Sequence, residues 1–105
     1  MKHDKVLSGL SIAAKAGKIV SGEFSTEKAV RESKAHLVIV ACDASDNTKK
    51  NFTNICHYYK VKIIFYSDKT TLGNAIGKEF RASLAVTDAG LATMIGNNLN
   101  LEVDE

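Results

Sequence analysis

The chain predicts a three-layer α/β/α sandwich, a four-stranded mixed sheet with helices on both faces. Helix-spaced and strand-like apolar patterns alternate along it, with no linker or low-complexity stretch between them. Leu37-Val38-Ile39-Val40-Ala41 is continuously apolar and bounded by polar residues, as in a strand covered on both faces. The resulting order, helix and strand in turn from a first helix to a last, requires one sheet with helices on either side.

Each element has its own signal. Leu7, Leu10, Ala14 and Gly17 fall at helical spacing and place a helix over roughly residues 4–16. Ile19 to Ser21 is a short strand. Gly22 then leads into a helix from about Ser25 to Ser33, with Thr26, Ala29, Val30 and Ser33 on one side. Asp43 to Asn47, after the central strand, is a polar turn rich in capping residues. Phe52, Ile55, Cys56 and Tyr59 at i, i+3, i+4, i+7 give a helix over about 46–59. Val61 to Tyr66 is a strand, and Leu72, Ala75 and Ile76 mark a short helix that stops near Gly77. Leu84-Ala85-Val86 is the fourth strand, and Leu91, Met94 and Ile95 mark the last helix. With no proline, every turn falls to Gly, Asn, Asp or Ser.

At 105 residues and 45% hydrophobic content, one domain spanning 1–105 with one core is expected, residues 100–105 forming a loosely ordered acidic tail. No run approaches the roughly 18 to 20 apolar residues of a membrane span. The start, Met1 to Leu10, is too short and interrupted for a signal peptide. Cys42 and Cys56 lack metal-ligand spacing and sit in apolar surroundings, so buried free thiols in a reducing, cytoplasmic setting are expected. Residues 1–34 carry seven Lys/Arg and four Asp/Glu, residues 35–66 four and two, residues 67–105 three and six. Two basic thirds suit a polyanion, but totals this small equally suit a solvated surface.

Motifs for common chemistry fail on inspection. Gly73-Asn74-Ala75-Ile76-Gly77-Lys78 is one residue short of a phosphate loop, has Glu79 in place of the magnesium-holding Ser/Thr, and follows a helical segment. No Gly-x-Gly-x-x-Gly exists. His3, His36 and His57 are scattered, and Cys56 and His57, adjacent on a helix, point apart. Asp43 and Asp46 near a strand end fit helix capping better than catalysis. No enzyme, metal or cofactor follows from the residues.

What remains is the junction at Gly22. A glycine between strand and helix lets another molecule approach the backbone, and the helix that follows aims its free N–H groups and positive dipole end outward, which suits a phosphate. Lys28, expected in the first turn, and Lys18 upstream flank the spot, with Lys15 and Arg31 as further cations. Ser25 is a candidate N-cap or hydrogen-bond donor. Phe24 has two open roles, stacking on an unpaired base or packing inward at the helix start. The loop Lys78-Glu79-Phe80-Arg81-Ala82-Ser83 holds two cations around an aromatic, with Glu79 disfavouring phosphate beside them.

Gly22 through Lys28, Leu37–Ala41, and Leu72–Gly77 followed by Glu79 to Val86 resemble the kink-turn RNA-binding ribosomal protein family, the L-seven-Ae and L-thirty-e group, and within it the bacterial YlxQ-type members. The resemblance runs over nearly the whole chain with its elements in order. It implies the α/β/α fold and non-catalytic binding of sharply bent RNA, through Gly-x-Asn-Glu-x-x-Lys at the start of the second helix and through the loop before the fourth strand. Gly22 and Lys28 match that pattern, whereas Phe24 stands where Asn is common and Ser25 where Glu is common. In relatives the loop packs against a flipped-out nucleotide, which points to Phe80 and Arg81. The implied partner is structured RNA, ribosomal or another kinked stem, with ribosomal proteins beside it and no membrane, cofactor or small-molecule substrate. Two other readings stand beside this one: a protein-interaction or ribosome-assembly module with the same fold, favoured by the acidic last third and the missing Asn and Glu, and a nucleotide-binding or enzymatic use of Asp43 and Asp46.

Overall fold

A computed structural model describes residues 4–103. The elements are α1 (Lys5–Lys15), β1 (Ile19–Ser21), α2 (Glu23–Arg31), β2 (Leu37–Val40), α3 (Asp46–Tyr59), β3 (Ile63–Phe65), α4 (Lys69–Ala75), β4 (Ser83–Val86) and α5 (Ala89–Val103). The expected α/β/α sandwich is present. Its sheet has the order β1-β4-β2-β3, with β2 and β3 parallel and β4 antiparallel to both β1 and β2.

The core divides by the two-residue period of the strands. Leu37 and Ile39 of β2, with Leu84 and Val86 of β4, meet Val6 and Leu10 of α1, Leu72 of α4 and Ile95 of α5. Val38, Val40 and Ala85 turn to the other face and meet Ala29 and Val30 of α2 and Phe52, Ile55 and Cys56 of α3. Both central strands are buried along their whole length, which is why Leu37–Val40 and Leu84–Val86 read as continuous apolar runs. The start of α1 is tied across the molecule: Asp4 accepts the Leu7 N–H through Oδ1 at 3.0 Å and the Tyr66 hydroxyl through Oδ2 at 2.8 Å.

Several boundaries differ from expectation. α2 begins two residues earlier, at Glu23, because Gly22 turns the chain in a single residue; Ser25 is therefore inside the helix and caps nothing. The helix stops at Arg31, and Ser33, at φ 60°, is exposed outside it. β3 is shorter than Val61–Tyr66 because Lys60 adopts a left-handed conformation and the Val61 N–H closes α3 on Cys56 O at 2.8 Å. α4 begins at Lys69 because Asp68 accepts the Thr71 N–H at 2.8 Å. Cys42 is exposed, contrary to the expectation for both thiols, since it leaves the sheet at the end of β2; Cys56 is buried. His3 and the tail residues Asp104 and Glu105 lie outside the described residues. Among the described residues no helix is long and apolar enough to cross a membrane.

Candidate nucleic-acid interface

Strand directions bring four junctions to one end of the sheet: the carboxyl ends of β1, β2 and β3 and the amino end of β4. Hydrogen bonds stitch them together. Gly22 N donates to Ser83 O at 3.0 Å, Ala41 N to Ala82 O at 2.9 Å, and Cys42 N to Ser67 O at 2.8 Å. Lys69 N donates to Asp43 Oδ1 at 2.9 Å, so Asp43 does cap a helix, though α4 rather than its neighbour α3.

Helices α2, α3 and α4 all start at this end, and their caps differ. Ser45 Oγ accepts the Thr48 N–H at 3.1 Å at the start of α3, and Asp68 and Asp43 serve α4. The start of α2 has Gly22 and no side-chain cap. Of the three, α2 is the helix whose positive end is left to an outside acceptor. Gly22 has φ 91° and ψ 158°, a region essentially closed to other residues. A Cβ built there would meet nothing within 4 Å, so the space beside the junction is open.

Phe24, whose direction the sequence left open, points outward and is 80% exposed. Ser25 and Lys28 are exposed with it. Lys28 is the sixth residue of α2 and so lies in its second turn, one turn below Phe24 on the same face. Among the described residues it forms no ion pair.

The loop after α4 runs back along that helix. Lys78 N donates to Gly73 O at 2.8 Å and Arg81 N to Lys69 O at 3.0 Å. Gly73 makes the close approach possible, because a Cβ there would stand 2.4 Å from Phe80 Cα. Arg81 then reaches the end of β1: Nε–H donates to Ser21 Oγ at 3.0 Å and Nη1–H to Phe80 O at 2.8 Å. That clamp sets the 56%-exposed Phe80 beside the Gly22 junction. Lys78 is exposed about one turn of α4 farther down.

Two expected residues do not join the cluster. Lys18 precedes β1 and Gly22 follows it, so roughly 13 Å of extended chain separates them; Lys18 O accepts the Thr87 N–H at 2.9 Å at the opposite end of the sheet. Arg31 is the last residue of α2, and its Nε donates to Glu27 Oε2 at 2.9 Å. Glu27 Oε1 accepts from Asn51 Nδ2 at 3.0 Å, which links α2 to α3. The Asn51 and then the Arg31 hydrogen bonds hold the Glu27 carboxyl below its ordinary range. Hydrogen bonds to Glu27 and then Tyr59 raise the Arg31 guanidinium above its own. Arg31 is thus a structural cation first.

Residue-level reading missed Ser21 and the spacing role of Gly73. A glycine inside a helical pattern costs about 1 kcal/mol against alanine, and that cost was the available signal of a close backbone approach. Among the described residues no three His, Cys, Asp or Glu side chains come together as metal ligands.

Comparison with known proteins identifies the family. Residues 4–95 match the model of the ribosomal protein L7Ae/L30e/S12e/Gadd45 family. The chain is 44% identical over 86 residues to the RNA-binding protein YlxQ of Bacillus subtilis (strain 168), covering 82% of this chain and 86% of that protein. It is 37% identical over 89 residues to the large ribosomal subunit protein eL30B of Schizosaccharomyces pombe, covering 83% of this chain and 76% of the relative. Among solved structures, a protein with unknown function from Bacillus halodurans superposes with a TM-score of 0.90 at 34% identity, over 93% of this chain and 99% of that one. A Giardia lamblia 15.5kD RNA binding protein superposes with a TM-score of 0.77 at 25% identity, over 92% and 87% of the two chains.

Proposed function

The chain belongs to the ribosomal protein L7Ae/L30e/S12e/Gadd45 family, and from that premise we propose that it is a non-catalytic, ribosome- or translation-associated protein of the cytoplasm that binds structured, kink-turn-like RNA at the stitched end of its sheet. The observation that carries the reading is the side-chain-uncapped start of α2 at Gly22, held beside the Phe80–Arg81 loop by the Arg81–Ser21 hydrogen bond. An RNA backbone that approaches Gly22 meets no side chain, and the first N–H groups of α2 donate to its phosphate oxygens. Lys28 neutralises a neighbouring phosphate, while Phe80 packs against a base turned out of the stack. Phe24 and Ser25 lack the amide and carboxylate that the family's Asn and Glu bring to a kink-turn's paired bases. The bent shape, rather than the identity of those pairs, is therefore the main feature read.

The test is a fluorescence titration with a labelled kink-turn stem and an unbent control stem at two salt concentrations. The bent stem is expected to bind tightly at both and the control weakly. Lys28→Ala should weaken binding and lower the salt slope by about 1, the mark of one lost phosphate contact. Unchanged affinity in both Lys28→Ala and Arg81→Ala would remove the site assignment. The balance of acids and bases around the site favours, as second reading, a protein-interaction module; a partner retained in pull-down after nuclease treatment, with no binding to the bent stem, would support it.

A further inference from the structure

Phe24 stands between two concavities and lines both. One, of about 280 Å³, lies between α2 and the edge strand β1, bounded by Val20, Phe24, Ser25, Lys28, Ala29 and Thr87. The other, of about 310 Å³, lies on the outer side of α2 with Glu27, Lys28, Arg31 and Glu32. Neither contains a residue of the Lys78–Ser83 loop.

Charge separates the two. In the outer concavity Lys28 and Arg31 face Glu27 and Glu32, and Arg31 is spent on Glu27 at 2.9 Å. The lining of the inner concavity lacks Glu27 and adds Lys34, whose Nζ lies 3.3 Å from Glu32, so two lysines stand there against one carboxylate, where the outer lining has two cations against two carboxylates. An anionic group is therefore favoured in the inner concavity. Its other groups are of three kinds: an exposed aromatic ring at the rim, an apolar floor of Val20 and Ala29, and the hydroxyls of Ser25 and Thr87. A flat apolar ring, small hydrogen-bonding groups and one uncompensated cation together match a single nucleotide. Phe24 and Lys28 are four residues apart, about 6 Å along the helix axis, so one ligand spans the ring and the ammonium.

We propose that this inner concavity is a subsite for one unpaired nucleotide of the bound RNA, its base stacked on Phe24, its edge met by Ser25, and its phosphate on Lys28. The inference rests on the RNA-binding reading and deepens it. It gives Phe24 a purpose in place of the family's asparagine, since an aromatic face accepts any base and tolerates sequence, whereas an amide selects. The subsite lies on the β1 side of α2, away from the loop nucleotide, so it is a second contact with unpaired RNA.

The test places 2-aminopurine at each unpaired position of a bent stem in turn and titrates the full chain, Phe24→Tyr, Phe24→Leu and Lys28→Ala. At one position the fluorescence should fall on binding to the full chain and to Phe24→Tyr and stay unchanged with Phe24→Leu. Phe24→Leu should also bind about tenfold or more weakly, the effect of losing one base–aromatic stack. Deleting that nucleotide should weaken the unsubstituted chain by the same factor and leave Phe24→Leu unaffected. Because the Phe24 ring is 80% exposed, the leucine variant keeps its fold. If Phe24→Leu keeps full affinity and quenching while Lys28→Ala weakens binding, the subsite is refuted and the RNA interface stands. If no bent stem binds the unsubstituted chain, both readings fall.

Discussion

Gly73→Ala tests whether the contact that holds the Phe80–Arg81 loop is as tight as the structure makes it. An added Cβ would lie 2.4 Å from Phe80 Cα, 2.7 Å from its N and 2.9 Å from its C, all backbone atoms that cannot swing aside. Ordinary contact begins near 3.4 Å, so the loop must retreat by about 1 Å. The Arg81 N to Lys69 O hydrogen bond, 3.0 Å long, would then stretch out of bonding range. Against this, alanine in a helix is favoured over glycine by roughly 0.8–1.0 kcal/mol. Overpacking costs about 1–3 kcal/mol and the broken hydrogen bond about 1 kcal/mol more. The clash wins, leaving a net loss of about 1–3 kcal/mol and a urea midpoint lower by roughly 1 M. Equilibrium urea unfolding measures the first effect, and titration with the bent stem should show weakened binding, since the displaced loop drags Arg81 from Ser21. A midpoint that rises, as helix propensity alone demands, would refute the packing argument. A lowered midpoint with unchanged RNA affinity would instead detach the loop from the interface.

Three further outcomes are expected. Thr26 Oγ1 is buried without a hydrogen-bond partner, so Thr26→Val should stabilise by about 1 kcal/mol in the same urea experiment, and a loss of 1 kcal/mol or more would mean the hydroxyl is satisfied. Glu27 and Asp68 are held below their ordinary values of 4.5 and 3.8, Glu27 first by Asn51 and then Arg31, Asp68 by the Thr71 N–H and hydroxyl. Folding favours their ionised forms, so the stability they add is complete above pH 4.5 and declines as pH falls through the lowered folded values. Glu27→Gln should flatten stability against pH in that acid range, and an unchanged profile would refute the assignment. Burial pushes the Cys56 thiol up to about 11, whereas Cys42 is exposed. A thiol-reactive disulfide reagent at pH 8 should therefore modify Cys42 at once and Cys56 only on unfolding; fast native reaction at both would overturn it.

The fold was legible because its central strands are buried on both faces and its helices on one. Those two conditions write themselves into the sequence as Leu37–Ala41 and as the spacing of Phe52, Ile55, Cys56 and Tyr59. The start of α2 was less legible. Ser25 looks like a cap, but a glycine with positive φ begins a helix without one, and that conformation leaves no mark beyond the glycine itself. Lys18 was misplaced for a related reason: four residues are near in sequence, yet across an extended strand they reach opposite ends of the sheet. The Arg81–Ser21 clamp spans 60 positions and needs the antiparallel β1–β4 register to exist, so no local pattern announces it. Exposure of Phe24 is equally invisible, because an aromatic at the very start of a helix fits a staple as well as a ligand.

Charge at the stitched end bears on how that surface can discriminate. The junctions and first helical turns there carry Glu23, Asp43, Asp46, Asp68 and Glu79 against Lys49, Lys69, Lys78 and Arg81, with Lys28 one turn farther along α2. Counterion release alone gives a balanced surface little advantage on arbitrary duplex. The acids are not scattered at random: Asp68 and Asp43 close α4, Asp46 opens α3, and Glu23 accepts the Thr48 hydroxyl at 3.4 Å. Each is thus committed to a helix start or to the α2–α3 contact, and the first-turn N–H groups of α2 that follow Gly22 are left without a side-chain cap, with open space beside the junction. A polyanion lying flat across this end would meet Asp43, Asp68 and Glu79 along with the lysines. One that bends sharply can present a phosphate to the α2 start and another to Lys28 while holding the rest of its backbone clear of the acids. On such a surface the carboxylates would penalise straight duplex, and the proposed preference for a bent RNA would follow from where the negative charge is fixed as much as from where the positive charge lies.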